Sequence, residues 1–391
     1  MNADSSFTTE PLHSPHPAKR PRTDPNDDNI VVVVHSPDIW LSDGSIGTPK
    51  VTQTLYKVHK STLAIHSSFF RDLFDGPQAA LEVGSEQYEG LPVMDMPDKA
   101  RDVEDFLRAI YLPDYVHRHG LHTSGAPFWS DFPRMYLGTL RLAKKYDAPK
   151  IRKVIVDAIK KEWPTELRYW DERQRLADED RISASNAKLK RNVVYPEPAY
   201  TIRAAVDYGI PEILPAAYYD LFRVYHFQDS SDPHYHAANI RILTVDELHK
   251  LTVGMAALRR YVLRDIRSIK PGNWEETCSH LEFESALDGD GATLEDHCYS
   301  PCTSALVSWW SRMLDDLIGS SDPLDNLKTT GEWIDCDEGS RDLEQDGFTC
   351  TTCRESIKTL IEEKRNTLWL ELPSYFNLVD LVGANWGGGV S

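Results

Sequence analysis

The first strong pattern in the chain is an unbroken apolar run, Ile30 to Val34 (IVVVV), whose shortness and β-branching make it a strand candidate. Either this run or Asp38–Leu41 (DIWL) supplies the early strand, and residues 54–58 (TLYKV) supply another. The turn-rich stretch 42–50 (SDGSIGTPK) lies between them, so the pattern predicts a hairpin with a long loop. Helical spacing then takes over at 60–66 (KSTLAIH), 67–74 (SSFFRDLF), 101–112 and 132–164. In the last segment Met135, Leu137, Leu140, Leu142, Ala143 and Tyr146 are followed by Ile151, Val154, Ile155 and Ile159. Three- and four-residue spacing with a break at Pro149 predicts two packed helices.

Residues 165–198 are highly charged and suit either a solvated helix or a disordered linker. Apolar spacing returns over 199–269, where Pro211 and Pro215 cut the first helical stretch into short pieces. The region 270–382 is acidic and carries two strong helix patterns, at 305–319 and 354–372. Residues 383–391 (GANWGGGVS) have the composition of a flexible tail. Residues 1–28 lack periodicity, are rich in Pro, Ser, Thr and Asp, and read as disordered.

Composition sharpens this picture. A chain of 391 residues with 41% apolar and 10% aromatic content can bury two or three cores. It has no membrane-length apolar run and no signal-peptide segment near residue 1, which predicts a soluble intracellular protein with no membrane partner. The net charge is −18, and residues 271–350 alone hold 19 acidic side chains against Arg312, Lys328 and Arg341. Such a field opposes phosphate binding, so nucleic acid is disfavoured as a partner. In the N-terminal segment, Lys19, Arg20 and Arg22 (PAKRPRTD) form a basic cluster that suits nuclear import or a plain solvated tail. The expected location is nuclear, cytoplasmic or both.

Residues 56–74 (YKVHKSTLAIHSSFFRDLF) carry a family resemblance. A strand ending in Tyr56-Lys57-Val58, then His59, Lys60, Leu63, Ser67, Phe69, Phe70, Leu73 and Phe74, resembles the signature of the BTB/POZ domain. The segments VEDFLRAIYLP and LRLAKKYDAPKIRKVIVDAI are similar to its later helices, so the resemblance covers 29–164. The rest of the chain is similar to the large BTB family of mushroom-forming fungi, through EWPTELRYWD, ILPAAYYDL, CTTCRES and LWLELPSYFNL. The resemblance implies an α+β fold, a small sheet flanked by helices, followed by a mostly α-helical region. It also implies a homo-oligomer formed through the BTB domain and a role as adaptor, either for a cullin ubiquitin ligase or in transcriptional regulation. The family's acidic entry to its first core strand is matched by Asp38 or by Asp43, and the loop to the second strand is longer than the family's.

Elementary chemistry gives the same stretch a structural reading. Ser61 is expected to cap the first helix and Ser67 or Ser68 the second. The phenylalanines form one broad apolar face, His59 is a structural joint, and His66 is an exposed helix-end residue. No oxyanion elbow or orienting carboxylate accompanies the serines, so no catalytic residue is assigned and the chain is read as not an enzyme.

The cysteines are the chemistry-bearing constellation. Cys298, Cys302, Cys350 and Cys353 form two short pairs, each before a helix pattern, that could hold one structural Zn²⁺. Cys278, Cys336, His280 and His297 are spare ligands, and buried free thiols are the competing reading. A redox dithiol at Cys350 and Cys353 lacks the usual βαβ setting. The function expected is a non-enzymatic interaction module, with a zinc-supported nucleic-acid-binding regulator as the alternative.

Overall fold

The computed structural model describes residues 28–37, 51–76, 87–112, 115–116, 133–186, 197–225, 238–267, 301–334, 351–383 and 386–387. They form two compact units, residues 1–103 and residues 104–391. The chain is mostly helical with one small mixed sheet, an α+β arrangement.

In the first unit, β1 (Asn29–Pro37) and β2 (Val51–His59) pair antiparallel, from Asn29 opposite His59 to Pro37 opposite Val51. β3 (Gln87–Tyr88) and β4 (Leu91–Asp95) form a second, tight hairpin. β4 then runs parallel to β1, with Val31 beside Val93, giving the order β2-β1-β4-β3. β1 is thus an interior strand, and Ile30 to Val34 are all buried. Burial on both faces is why the run is continuous and not alternating. The segment Asp38–Leu41, the other strand candidate, lies outside the described residues.

Two short helices follow, α1 (Lys60–His66) and α2 (Ser68–Asp75). Ser67 caps α2 as expected, its Oγ accepting from the Phe70 N–H at 3.1 Å. The cap of α1 corrects the expectation for Ser61. Asp28 does the capping: its carboxylate accepts from the Ser61 N–H at 2.9 Å and from the Ser61 hydroxyl at 2.5 Å. Burial raises the Asp28 pKa, but the Ser61 hydrogen bonds and nearby His59 and Lys60 outweigh it and hold the carboxyl below its ordinary value. His66 is half-buried, not exposed.

α3 (Ala100–Tyr111) runs from the first unit into the second. Beyond it come α4 (Arg134–Lys145) and α5 (Pro149–Glu162), a packed pair with Pro149 in the first turn of α5. α6 (Leu167–Asn186) occupies most of the charged segment 165–198. It is neither a disordered linker nor fully solvated, because Trp170, Arg173 and Ala177 form a buried stripe at three- and four-residue spacing.

α7 (Pro198–Tyr208) leads through a short 3₁₀ turn at Pro211 into α8 (Leu214–Tyr225). Leu214, Ala216, Ala217, Tyr218, Tyr219, Leu221 and Phe222 are all buried, so α8 is the central helix of the unit. α9 (Val245–Arg260) starts on a capping box of Thr244 and Glu247 and continues into a π-helical turn, Tyr261–Ile266. The remaining helices are α10 (Pro301–Gly319), α11 (Pro323–Ile334), α12 (Thr351–Leu370), α13 (Leu372–Tyr375) and α14 (Val379–Val382).

The expectation of a flexible tail over 383–391 needs correction at Trp386 and Gly387. The Trp386 ring is buried against Trp369, with centroids 4.9 Å apart, and the Gly387 N–H donates to the Thr165 carbonyl at 3.0 Å. One aromatic ring that finds a slot outweighs the glycine-rich composition around it.

Candidate interaction surface and buried ionic centre

The signature residues of the first unit divide into core and surface. His59 closes β2 and Lys60 opens α1. Leu63 and Phe70 are fully buried, Leu73 and Phe74 are half-buried, and Phe70 stacks on Phe74 at 6.0 Å. The expected single apolar face is split, since Phe69 is 44% exposed while its ring edge meets Phe70. Ile65 on α1 is 61% exposed. These two side chains are the apolar surface of the helix pair.

The cysteines do not assemble among the described residues. Cys353 is buried in the first turn of α12 and is not in a disulfide, and Cys302 lies in the first turn of α10. Cys298 and Cys350 lie outside the described residues, as do Lys19, Arg20 and Arg22. No cluster of three or more potential metal ligands occurs among the described residues. No described helix is long and apolar enough to cross a membrane.

The most elaborate polar constellation was not foreseen from the sequence. It lies in the second unit, where α5, α6, α8, α11 and α12 converge. Asp220 on α8 accepts from Arg173 at 3.0 Å, from the Trp163 indole at 3.1 Å and from Arg223 at 3.0 Å. Arg223 reaches on to Asp322 at 2.6 Å and to the Gln174 side-chain amide oxygen at 3.0 Å. Glu162 stands 3.8 Å from Arg173. Both guanidiniums also lie over the Trp170 ring, Arg173 at 4.9 Å and Arg223 at 5.1 Å from its centroid.

Asp322 extends the network into backbone. It accepts from the Tyr219 hydroxyl at 2.6 Å and from the Asp325 N–H at 3.2 Å, so a carboxylate sits at the start of α11, where the helix dipole favours it. The Tyr219 oxygen in turn accepts from the Leu324 N–H at 2.9 Å. Arg365 on α12 grips Asp171 with both terminal guanidinium nitrogens and donates from Nε to the Leu324 carbonyl.

The charges offset one another. Burial pushes the Asp220 carboxyl up, but Arg173 and Arg223 outweigh it and hold it below its ordinary value. Burial and the adjacent Asp322 push the Tyr219 phenol far up, so it stays a neutral donor. The set ties five helices together, although Arg173 Nη1, Arg223 Nε and Gln174 Nε2 are buried without a hydrogen-bond partner. The sequence signal that could have revealed it is Trp163, Trp170, Arg173 and Ala177 at helical spacing, with arginine taken as a partly apolar residue that can stack.

Two clefts flank this centre. One, of about 370 Å³, is walled by Phe222, Leu258, Val262, Leu317 and Pro323. The other, of about 570 Å³, lies between Trp163, Tyr169, Pro211 and Leu381, with the Lys160–Glu212 ion pair on its wall.

Buried phenols give the unit a pH limit. Burial and the Asp105 hydrogen bond push the Tyr115 phenol from 10.0 up to about 12, and burial pushes Tyr136, Tyr218, Tyr261 and Tyr375 higher still. A raised folded-state pKa favours the protonated form. Its stabilisation is therefore complete below the unfolded value near 10 and is lost as pH rises toward and past 12. In a tyrosinate absorbance titration these phenols should ionise only together with loss of helical circular dichroism. Independent ionisation of every tyrosine near pH 10, with the helices intact, would contradict this burial.

Compared with protein-family models, curated proteins and solved structures, the chain matches none.

Proposed function

We propose that this chain is a non-enzymatic protein–protein interaction protein that self-associates through a BTB/POZ-like domain at 29–164. The helical remainder acts as the adaptor or scaffold that holds a partner. The observation that carries this reading is the motif from His59 to Phe74. Its His-Lys pair stands at a strand–helix joint, its Ser67 caps the next helix, and its Leu63 and Phe70 fill the core beneath. The exposed Ile65 and Phe69 supply apolar area for a second copy. The resemblance extends the proposal to cullin-linked substrate adaptation or transcriptional regulation, with zinc as an optional structural element at Cys298, Cys302, Cys350 and Cys353.

Light scattering of the full chain tests the core of the proposal. The 44.5 kDa protomer should run as a dimer or larger at micromolar concentration. Phe69→Asp should shift it to monomer, with its helical signal unchanged. A monomeric parent chain, or a Phe69→Asp variant that assembles as the parent does, rejects the proposal.

A further inference from the structure

The pair Trp386-Gly387 is held by features that specify its chemistry. The Trp386 ring stacks on Trp369 with centroids 4.9 Å apart and planes 29° from parallel. Its indole N–H donates to the Trp369 carbonyl at 2.9 Å. One residue on, the Gly387 N–H donates to the Thr165 carbonyl, which also receives the Trp369 indole N–H at 3.0 Å. Gly387 itself adopts φ +78°, and a Cβ there would stand 2.3 Å from Leu370 Cδ2.

We propose that this corner is a socket for a Trp-Gly pair, filled here in cis by Trp386-Gly387 and able to take the same pair from a second copy of the chain. The slot takes a flat ring with an N–H at its edge: phenylalanine would fill the stack and leave the Trp369 carbonyl without that donor. The next residue must have φ > 0, which costs any other L-residue conformational energy, and Leu370 would also have to swing away. The inference is independent of the BTB reading, since Thr165, Trp369, Leu370, Trp386 and Gly387 all lie beyond residue 164.

Exchange between copies requires that the pair can leave without opening the ionic centre. A pivot is in place at Gly383, with φ +64° and open space where a side chain would stand. The turn before it, α14, leaves Val379 56% and Leu381 52% exposed. The described residues of 383–387 contribute no charged group to the Arg173–Asp220–Arg223–Asp322 network. The described residues of 383–387 are held by the Trp386 ring stack and two hydrogen bonds, so release of this pair is a local opening and not a global one.

The experiment uses the full chain with Trp386→Ala, which empties the socket, and a synthetic peptide of residues 383–391 as the probe. Calorimetry should show saturable binding to this variant and weaker apparent binding to the parent, whose socket is already filled. Peptides carrying Gly387→Ala or Trp386→Phe should each bind about tenfold more weakly. A folded Trp386→Ala chain that does not bind the peptide overturns the socket, as does equal binding of the Gly387→Ala peptide. A Trp386→Ala chain that has lost its helical circular dichroism overturns it as well, because the pair would then be inseparable from the core.

Discussion

Asp220→Ala should destabilise the second unit by about 3–5 kcal/mol, read as a lowered urea midpoint. The size follows from what is left behind. Asp220 is 4% exposed and is the shared acceptor for Arg173, Arg223 and the Trp163 indole. Removing it leaves Arg173 with only Glu162, 3.8 Å away, and the Trp163 indole N–H without its acceptor, while Arg223 keeps Asp322. A buried charge that loses its close partner costs far more than the net worth of the pair. The double variant Asp220→Leu with Arg173→Met should recover a large part of the loss, since it removes a charge of each sign. Its stability should also depend less on acid. The lowered Asp220 pKa means that its contribution is present above the ordinary carboxylate range and is lost as pH falls through the folded value. A single alanine variant within about 1 kcal/mol of the parent would mean that these charges are hydrated and not buried.

Gly254→Ala is the second large effect, with an expected cost of about 3 kcal/mol or more. Adding one methyl group to a helix interior normally stabilises it, because alanine is the better helix former. Here the added Cβ would stand 1.9 Å and 2.1 Å from two carbons of the Phe376 ring. Phe376 is fully buried and stacks on Tyr218 of the central helix at 5.3 Å, so its ring has no open side to move into. Phe376→Leu should weaken the parent chain but partly rescue Gly254→Ala, giving a coupling energy that a thermal double-mutant cycle reads directly. Additive effects of the two substitutions would show that the close approach of α9 to Phe376 is not the cause.

What the sequence made legible was local. Ile30 to Val34, one of two candidates for the early strand, does form a strand, and Ile151, Ile155 and Ile159 form one face of a helix, because period and length need only neighbouring residues. A serine cap at Ser67 or Ser68 was legible for the same reason, and Ser67 is the one that caps. Asp28, by contrast, caps α1 from 33 residues away, and no local rule would find it in competition with Ser61. The charged segment 165–198 hides its buried stripe because a charge pattern counts arginine as solvent-facing, whereas the Arg173 guanidinium lies over Trp170 and its charge is met by Asp220, 47 positions on. Trp386 was hidden by its glycine neighbours, whose composition reads as tail.

The candidate site divided in the same way. The motif from His59 to Phe74 was visible as a pattern, but which of its phenylalanines would face outward was not, since that depends on the elements packed around it. The ionic centre was legible only as the buried stripe of Trp170, Arg173 and Ala177; nothing local in the sequence names Asp220 or Asp322 as its partners.

The ion pair between Asp171 and Arg365 joins residues 194 positions apart, and the Trp170–Trp369 and Thr165–Gly387 contacts close loops of similar span. During synthesis at about 5–20 residues per second, α6 therefore leaves the ribosome roughly 10–40 s before α12 exists. For that interval Trp170 and Arg173 have no α12 to close over them, and the helix stripe is open to chaperones or to nascent neighbours on the same message. Contacts of such long sequence separation also slow folding after release, so the second unit should mature late and as a whole.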